Sequence, residues 1–164
     1  MELHVIGRSK YLSKTLTRKA VRFYADKLMT PRLLETLCIK ILYDDLGADM
    51  GRCDPLYERS TSFPKDFEIY IANNLNKKNT LLTIAHEMVH LKQYARGELF
   101  EYARHPNLAR WKGYVYEDDP ETNNPDDYWF TPWEIEAHGY EKGLATCFYR
   151  EMYRQGFMHK LKPE

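Results

Sequence analysis

TLLTIAHEMVHLKQYAR, residues 80–96, carries apolar residues at three- and four-residue spacing and two histidines four apart. The spacing predicts a helix from about Thr80 to Arg96, ended by Gly97. With His86 at zero on a helical wheel, Leu81, Ile84, Ala85, Met88, Leu91 and Ala95 cluster on the opposite side. That is a core-facing stripe, and the histidines face away from it, toward a cleft. His86 and His90 lie one turn apart on one face, where both imidazoles can reach one Zn²⁺ at about 2.0–2.1 Å. Glu87 is turned roughly 100° from His86. It borders such a metal without binding it and can take a proton from an activated water and pass it to a leaving amine. His86 and His90 are therefore the expected metal ligands and Glu87 the expected catalytic base. A chance HExxH in so short a chain is on the order of one in a few hundred, which favours the metal reading over a solvated helix.

A catalytic zinc site needs a third protein ligand and one open position. PWEIEAHGYEKGL, residues 132–144, opens a second helix with Thr131 as N-cap and Pro132 at the first helical position. Its candidate ligands are Glu134, Glu136, His138 and Glu141. Glu134 shares a face with His138, Glu141, Ala145, Phe148 and Met152, whose downstream part is apolar and should pack inward against the first helix. Glu136 points away, with Tyr140, Gly143 and Cys147. Glu134 is the favoured third ligand, although its spacing from Thr131 also suits a capping box, and the two roles compete for one carboxylate. His138 is expected either to orient a ligand or to be the ligand itself. His4, His105 and His159 read as ordinary surface or loop histidines.

Outward from these helices, Ala20, Val21, Tyr24, Ala25 and Leu28 predict a helix over 17–29, broken by Thr30-Pro31. TLCIKILY, residues 36–43, and FEIYIA, residues 67–72, alternate as strands, the second near a sheet edge. A third strand between Arg52 and Ser62 is weaker, and residues 1–15 are ambiguous. Residues 98–130, with Pro106, Pro120 and Pro125, read as a long irregular connection holding a short hairpin near Trp111 to Tyr116. The last helix should run to about Arg154 and end at Gly156. Strands and helices are segregated, so the class is α+β, a single domain over 1–164 with a small, mostly antiparallel sheet packed on the HExxH helix and the third-ligand helix.

The 164 residues carry 24 Lys plus Arg and 24 Asp plus Glu. A neutral chain offers nucleic acid and anionic membranes no general attraction, so neither is an expected partner. Arg18, Lys19 and Arg22 read as a solvated helix face. Three cysteines without CxxC spacing suit a reduced, cytoplasmic protein, with Cys38 and Cys147 among apolar residues. Met1 to Lys10 lacks the basic-then-apolar pattern of a signal peptide, and no run is apolar enough to span a membrane. Trp111, Trp129 and Trp133 either shape a cleft or form a satellite hydrophobic cluster, the latter expected for at least two of them.

From Leu81 to Leu144 the chain resembles small gluzincin-like metallopeptidases, including the ImmA/IrrE-type peptidases and compact metallopeptidases of phages and bacteria. The resemblance rests on HEMVHLKQY at 86–94 and PWEIEAHGYE at 132–141. It implies a zincin-like fold, a Zn²⁺ cofactor, Glu134 as third ligand and a peptide or protein substrate. The position where the family often has Asp or Asn is His138 here. FEIYIA resembles the family's edge strand, which pairs with extended substrate. An oxyanion-stabilising donor is expected from Tyr140 or from a Tyr or His of 98–130. The rival readings are an inactive zinc-fold module for protein interaction, with no need of Glu87, and SprT-type proteolysis at DNA, which charge neutrality disfavours.

Overall fold

The computed structural model describes residues 1–57, 63–102, 104–117 and 128–158. The chain is α+β. It begins with β1 (Glu2–Ile6), a short strand inside the ambiguous first fifteen residues, and continues through α1 (Lys14–Leu28), α2 (Pro31–Leu34), β2 (Cys38–Asp44), β3 (Gly51–Leu56) and β4 (Asp66–Ala72). Next come α3 (Lys77–Ala95), β5 (Leu99–Tyr102), β6 (His105–Trp111), β7 (Tyr114–Glu117) and α4 (Pro132–Arg154). Helix starts follow local chemistry: Ser13 Oγ accepts from the Leu16 N–H at 3.2 Å, and Asn76 Oδ1 from the Asn79 N–H at 2.8 Å. Both long helices of the HExxH unit stop at the expected glycines. At Gly97 the backbone turns to φ +65°, the Gly97 N–H donates to Tyr94 O, and the Glu98 N–H reaches back to Gln93 O, which closes a Schellman cap.

The main sheet has the order β1-β2-β4-β3. β1 pairs with β2 and β2 with β4 in parallel, while β3 runs antiparallel to β4. Counting the second sheet, three of the five strand pairings are antiparallel, but the sheet under the HExxH helix is mixed. The parallel pairs arise because α1 crosses over between β1 and β2, and because β3 lies outside β4 rather than between β2 and β4. That arrangement corrects one expectation. FEIYIA is an interior strand, and the edge beside it is β3, the weaker strand of the sequence reading, which reaches only to Leu56.

Alternation along β2 and β4 buries Ile39, Ile41, Tyr43, Phe67, Ile69 and Ile71 on one face. The other face is polar, with Lys40 Nζ 3.1 Å from Glu68 Oε1 and the Arg52 guanidinium over the Tyr70 ring. The helices cover the apolar face. Tyr24 of α1 is fully buried, donates its hydroxyl to Leu81 O of α3 at 3.3 Å and meets Phe148 of α4 edge-on. At 0% exposure, Ile84, Ala85, Met88, Val89 and Leu91 make α3 the centre of the core, as its apolar stripe requires.

The described residues of 98–117 are more regular than the expected long irregular connection. β5, β6 and β7 form a three-stranded antiparallel sheet. Trp111 pairs with Tyr114 around Lys112 and Gly113, both at positive φ, so the hairpin closes with two residues of the I′ kind. Leu99, Ala109 and Trp111 join the same core as the helices. The Pro120 and Pro125 stretch and His159 lie outside the described residues. Arg18 and Arg22 are exposed on α1, as a solvated face requires. Cys147 is exposed rather than sheltered among apolar residues, and Cys38 is half-buried; Cys38, Cys53 and Cys147 are all free thiols. No described helix is long and apolar enough to cross a membrane.

Candidate active site

α3 and α4 pack together and bring three predicted residues to one point. His86 Nε2 lies 3.0 Å from His90 Nε2 and 3.3 Å from Glu134 Oε2, and His90 Nε2 lies 3.2 Å from Glu134 Oε1. Each imidazole turns its other nitrogen to an acceptor. His86 Nδ1 sits 2.9 Å from Glu141 Oε2, and His90 Nδ1 sits 2.9 Å from Gln93 Oε1. The Gln93 amide has one sensible orientation, because its Nε2 donates to Trp133 O and to Glu136 Oε2, each at 3.0 Å. Its oxygen therefore faces His90 and takes the Nδ1 proton. In their neutral forms, as metal ligands require, both imidazoles would carry their protons on Nδ1 and aim two Nε2 lone pairs at the point faced by the Glu134 carboxylate. A cation among three such acceptors would satisfy all of them. Four ligands at 2.0–2.1 Å around a tetrahedral Zn²⁺ are roughly 3.3 Å apart, so the donor set fits the ion in kind and in spacing.

Glu134 is 1% exposed. Burial alone would raise its pKa, but without a metal its contacts with the His86 and His90 rings and the Tyr128 hydroxyl hold its carboxyl far below the usual range. Its competing role is not taken: Thr131 makes no side-chain cap, and its hydroxyl donates instead to Tyr128 O at 2.8 Å. For His86, burial disfavours charge, yet the Glu134, Glu87 and Glu141 carboxylates outweigh it and raise the pKa. Burial pushes the Glu87 carboxyl up to about 7, against the pull of His90 and His86. A dication at the triad would draw it down again.

His138 stands one turn beyond Glu134, more exposed than the others, with Nε2 3.9 Å from Glu134 Oε2 and Nδ1 3.3 Å from Glu141 Oε2. His86, Glu134 and His138 each offer a ligand atom within 4.8 Å of the others. The His86–His90–Glu134 set is tighter and more buried, so it is the better first triad. Glu136 does not join the triad, but it does not point away from α3 as expected either: its carboxylate accepts from Lys92 and Gln93 of that helix and from Lys112.

A cleft of about 830 Å³ opens over this point, walled by β3, α3, β5 and the start of α4. Gly51 lets β3 approach: a Cβ there would lie 2.5 Å from Thr83 Cγ2 and 2.8 Å from Glu87 Oε1. Among the expected donors, Tyr140 is 53% exposed and lies outside the cleft, whereas Tyr128 lines it and donates to Glu134. Trp129 is exposed in the cleft with its ring 5.3 Å from His138, while Trp111 and Trp133, 6.3 Å apart, are buried members of the main core rather than a satellite cluster, and Trp133 also lines the cleft. His4 pairs with Glu2 on β1, and His105 lies on β6, both away from the cleft.

Sequence reasoning missed the Gln93 clamp, Gly51 and Tyr128 as individuals. A glutamine seven residues after His86, hence on the histidine face of the same helix, was the available signal for the first, and the structure buries it fully. No protein-family model, curated protein or solved structure matches the chain.

Proposed function

We propose that the protein is a zinc-dependent metallopeptidase on a minimal zincin-like fold, with His86, His90 and Glu134 as ligands and Glu87 as general base. The observation that carries the reading is the mutual 3.0–3.3 Å spacing of the three ligand atoms, with both Nδ1 positions occupied by acceptors. Zn²⁺ held there supplies a Lewis acid that polarises a carbonyl and acidifies water. Glu141 and Gln93 hold the imidazoles in the Nδ1–H tautomer, which aims their Nε2 lone pairs. Glu87, on the cleft floor and buried against β3, accepts the proton of the attacking water and delivers it to the leaving amine. The edge strand β3 offers main-chain groups to an extended peptide, in the place the sequence reading gave to FEIYIA. Three free thiols accord with a reducing, cytoplasmic setting.

A second reading has one observation behind it. If His138 swung in as a fourth ligand, the open position would be lost and the site would be of the closed, structural kind. The protein would then be a zinc-fold interaction module. Metal analysis and peptide cleavage by wild type and Glu87→Gln decide between them. Equal zinc in both, with cleavage by wild type alone, is the expected result. Stoichiometric zinc with no cleavage of any peptide in a broad library favours the module.

A further inference from the structure

The chain as a whole is neutral, but its cleft is not. Asp49, Asp54, Glu87, Glu101, Glu134 and Glu141 all line it, and Arg52 is the one lysine or arginine among the described lining residues. Arg52 is already engaged, its Nε 2.9 Å from Asp54 Oδ2. A bound dication and the histidine contacts account for Glu134 and Glu141, and Glu87 has its proton-transfer role. Asp49 and Glu101 are left without such an assignment, and of the two only Glu101 is oriented by a side chain of the cleft wall.

Its placement is specific. Leu99 and Glu101 share one face of β5, and both line the cleft, Leu99 at 1% exposure. Tyr94 of α3, one turn beyond His90, donates its hydroxyl to Glu101 Oε2 at 2.8 Å and so orients the carboxylate. Cys53 of β3 and Trp133 of α4 line the same cleft. Among the described residues no lysine or arginine pairs with Glu101, and Arg110 lies over Phe100, on the other face of β5. The field of Glu101 raises the Tyr94, Tyr57, Cys53 and Tyr128 pKa values, in each case behind burial, so it extends across this wall. An apolar slot with an oriented carboxylate matches a long aliphatic stem ending in a cation.

We propose that this side of the cleft binds a lysine or arginine side chain of the substrate, with Glu101 as the specificity-determining residue. The inference rests on the peptidase reading and names the substrate class for that site. Glu101 is itself exposed, so water weakens its pull on a cation, but the Tyr94 hydroxyl already fixes its carboxylate and less entropy is lost on pairing.

The test uses the full chain loaded with zinc and a set of fluorescent peptides that differ only in lysine, norleucine or glutamate at successive positions. Binding is read by anisotropy with Glu87→Gln, and cleavage separately with wild type. The expected result is lysine binding roughly five- to tenfold tighter than norleucine at one position, with the contrast shrinking as salt rises. Glu101→Gln, added to Glu87→Gln, should erase the contrast, and Glu101→Lys should turn the preference to glutamate, which a merely structural residue would not do. Cleavage and binding that ignore lysine at every position overturn the pocket while leaving the peptidase standing. Selective binding without cleavage supports the pocket and sinks the peptidase. Neither binding nor cleavage overturns both.

Discussion

His90 Nδ1 and Gln93 Oε1 are 2.9 Å apart on the same helix, and the Gln93 amide nitrogen is pinned by Trp133 O and Glu136 Oε2. One glutamine thus sets the tautomer of one candidate ligand and ties the HExxH helix to the helix that carries Glu134. Replacing Gln93 with Leu removes the acceptor while keeping the volume close. Zinc affinity should fall about 10- to 100-fold, the usual cost of losing a group that orients a ligand. Competition with a chromophoric chelator measures it, and an unchanged affinity would show that the clamp does nothing for the metal.

Removal of the metal should be visible in thermal stability. An ion that binds the folded chain at 100 to 1,000 times its dissociation constant adds about 3–4 kcal/mol, equivalent to about 6–16 °C in a domain of this size. Chelator should lower the wild-type Tm by that order. The double variant His86→Ala, His90→Ala should have the same Tm with and without chelator. A wild-type Tm indifferent to chelator and to added zinc would count against the triad.

Gly51 is predicted to matter for chemistry rather than for metal. A methyl group there meets Thr83 Cγ2 and the Glu87 carboxylate at under 3 Å, and the carboxylate is the part free to move. Displacing a general base by a fraction of an ångström to an ångström costs up to about 100-fold in rate. Gly51→Ala should therefore lower kcat ten- to a hundredfold, with KM and zinc content nearly unchanged. Loss of zinc along with activity would instead indicate that β3 supports the site as a whole.

Lys92 is buried, with Nζ 2.8 Å from Glu136 Oε2 and 2.7 Å from Glu98 Oε2. The Glu98 contact is an ion pair without hydrogen-bond geometry, so Glu136 is the stronger partner. Burial would raise the Glu136 pKa, but Lys92, Gln93 and Lys112 outweigh it and hold it below its ordinary value. A depressed folded-state value means stability that is present above the unfolded pKa and lost as pH falls through the folded one. In chelator, to exclude the metal, Glu136→Gln should cost about 1–3 kcal/mol at pH 7 by denaturant melts, and the gap should close below about pH 4. A gap that persists at low pH would mean the loss is steric.

Local pattern was enough for α3. Its apolar stripe, the histidines off that stripe and the Gly97 stop are all relations within one helix turn or two, and each appears in the fold as read. The same holds for the inward face of α4 and for the alternation of β2 and β4, because side-chain period follows from backbone geometry alone. Strand neighbours are a different matter. Period two says which face of FEIYIA is buried but nothing about which strand lies beside it, so its interior position and the edge role of β3 emerged only from the assembled sheet. Of the three-stranded sheet only the β6–β7 hairpin near Trp111 to Tyr116 was legible, because short strands gain their stability from partners and β7 is exposed along its whole length. The choice among Glu134, Glu136, His138 and Glu141 also needed the packing of α4 on α3. Helical periodicity put Glu134 on the right face, but whether its carboxylate capped its own helix or crossed to two imidazoles depended on where Thr131 and Tyr128 settled. Distances between separate elements are set by how their side chains interlock, and that information is spread over the whole chain rather than written in any one stretch of it.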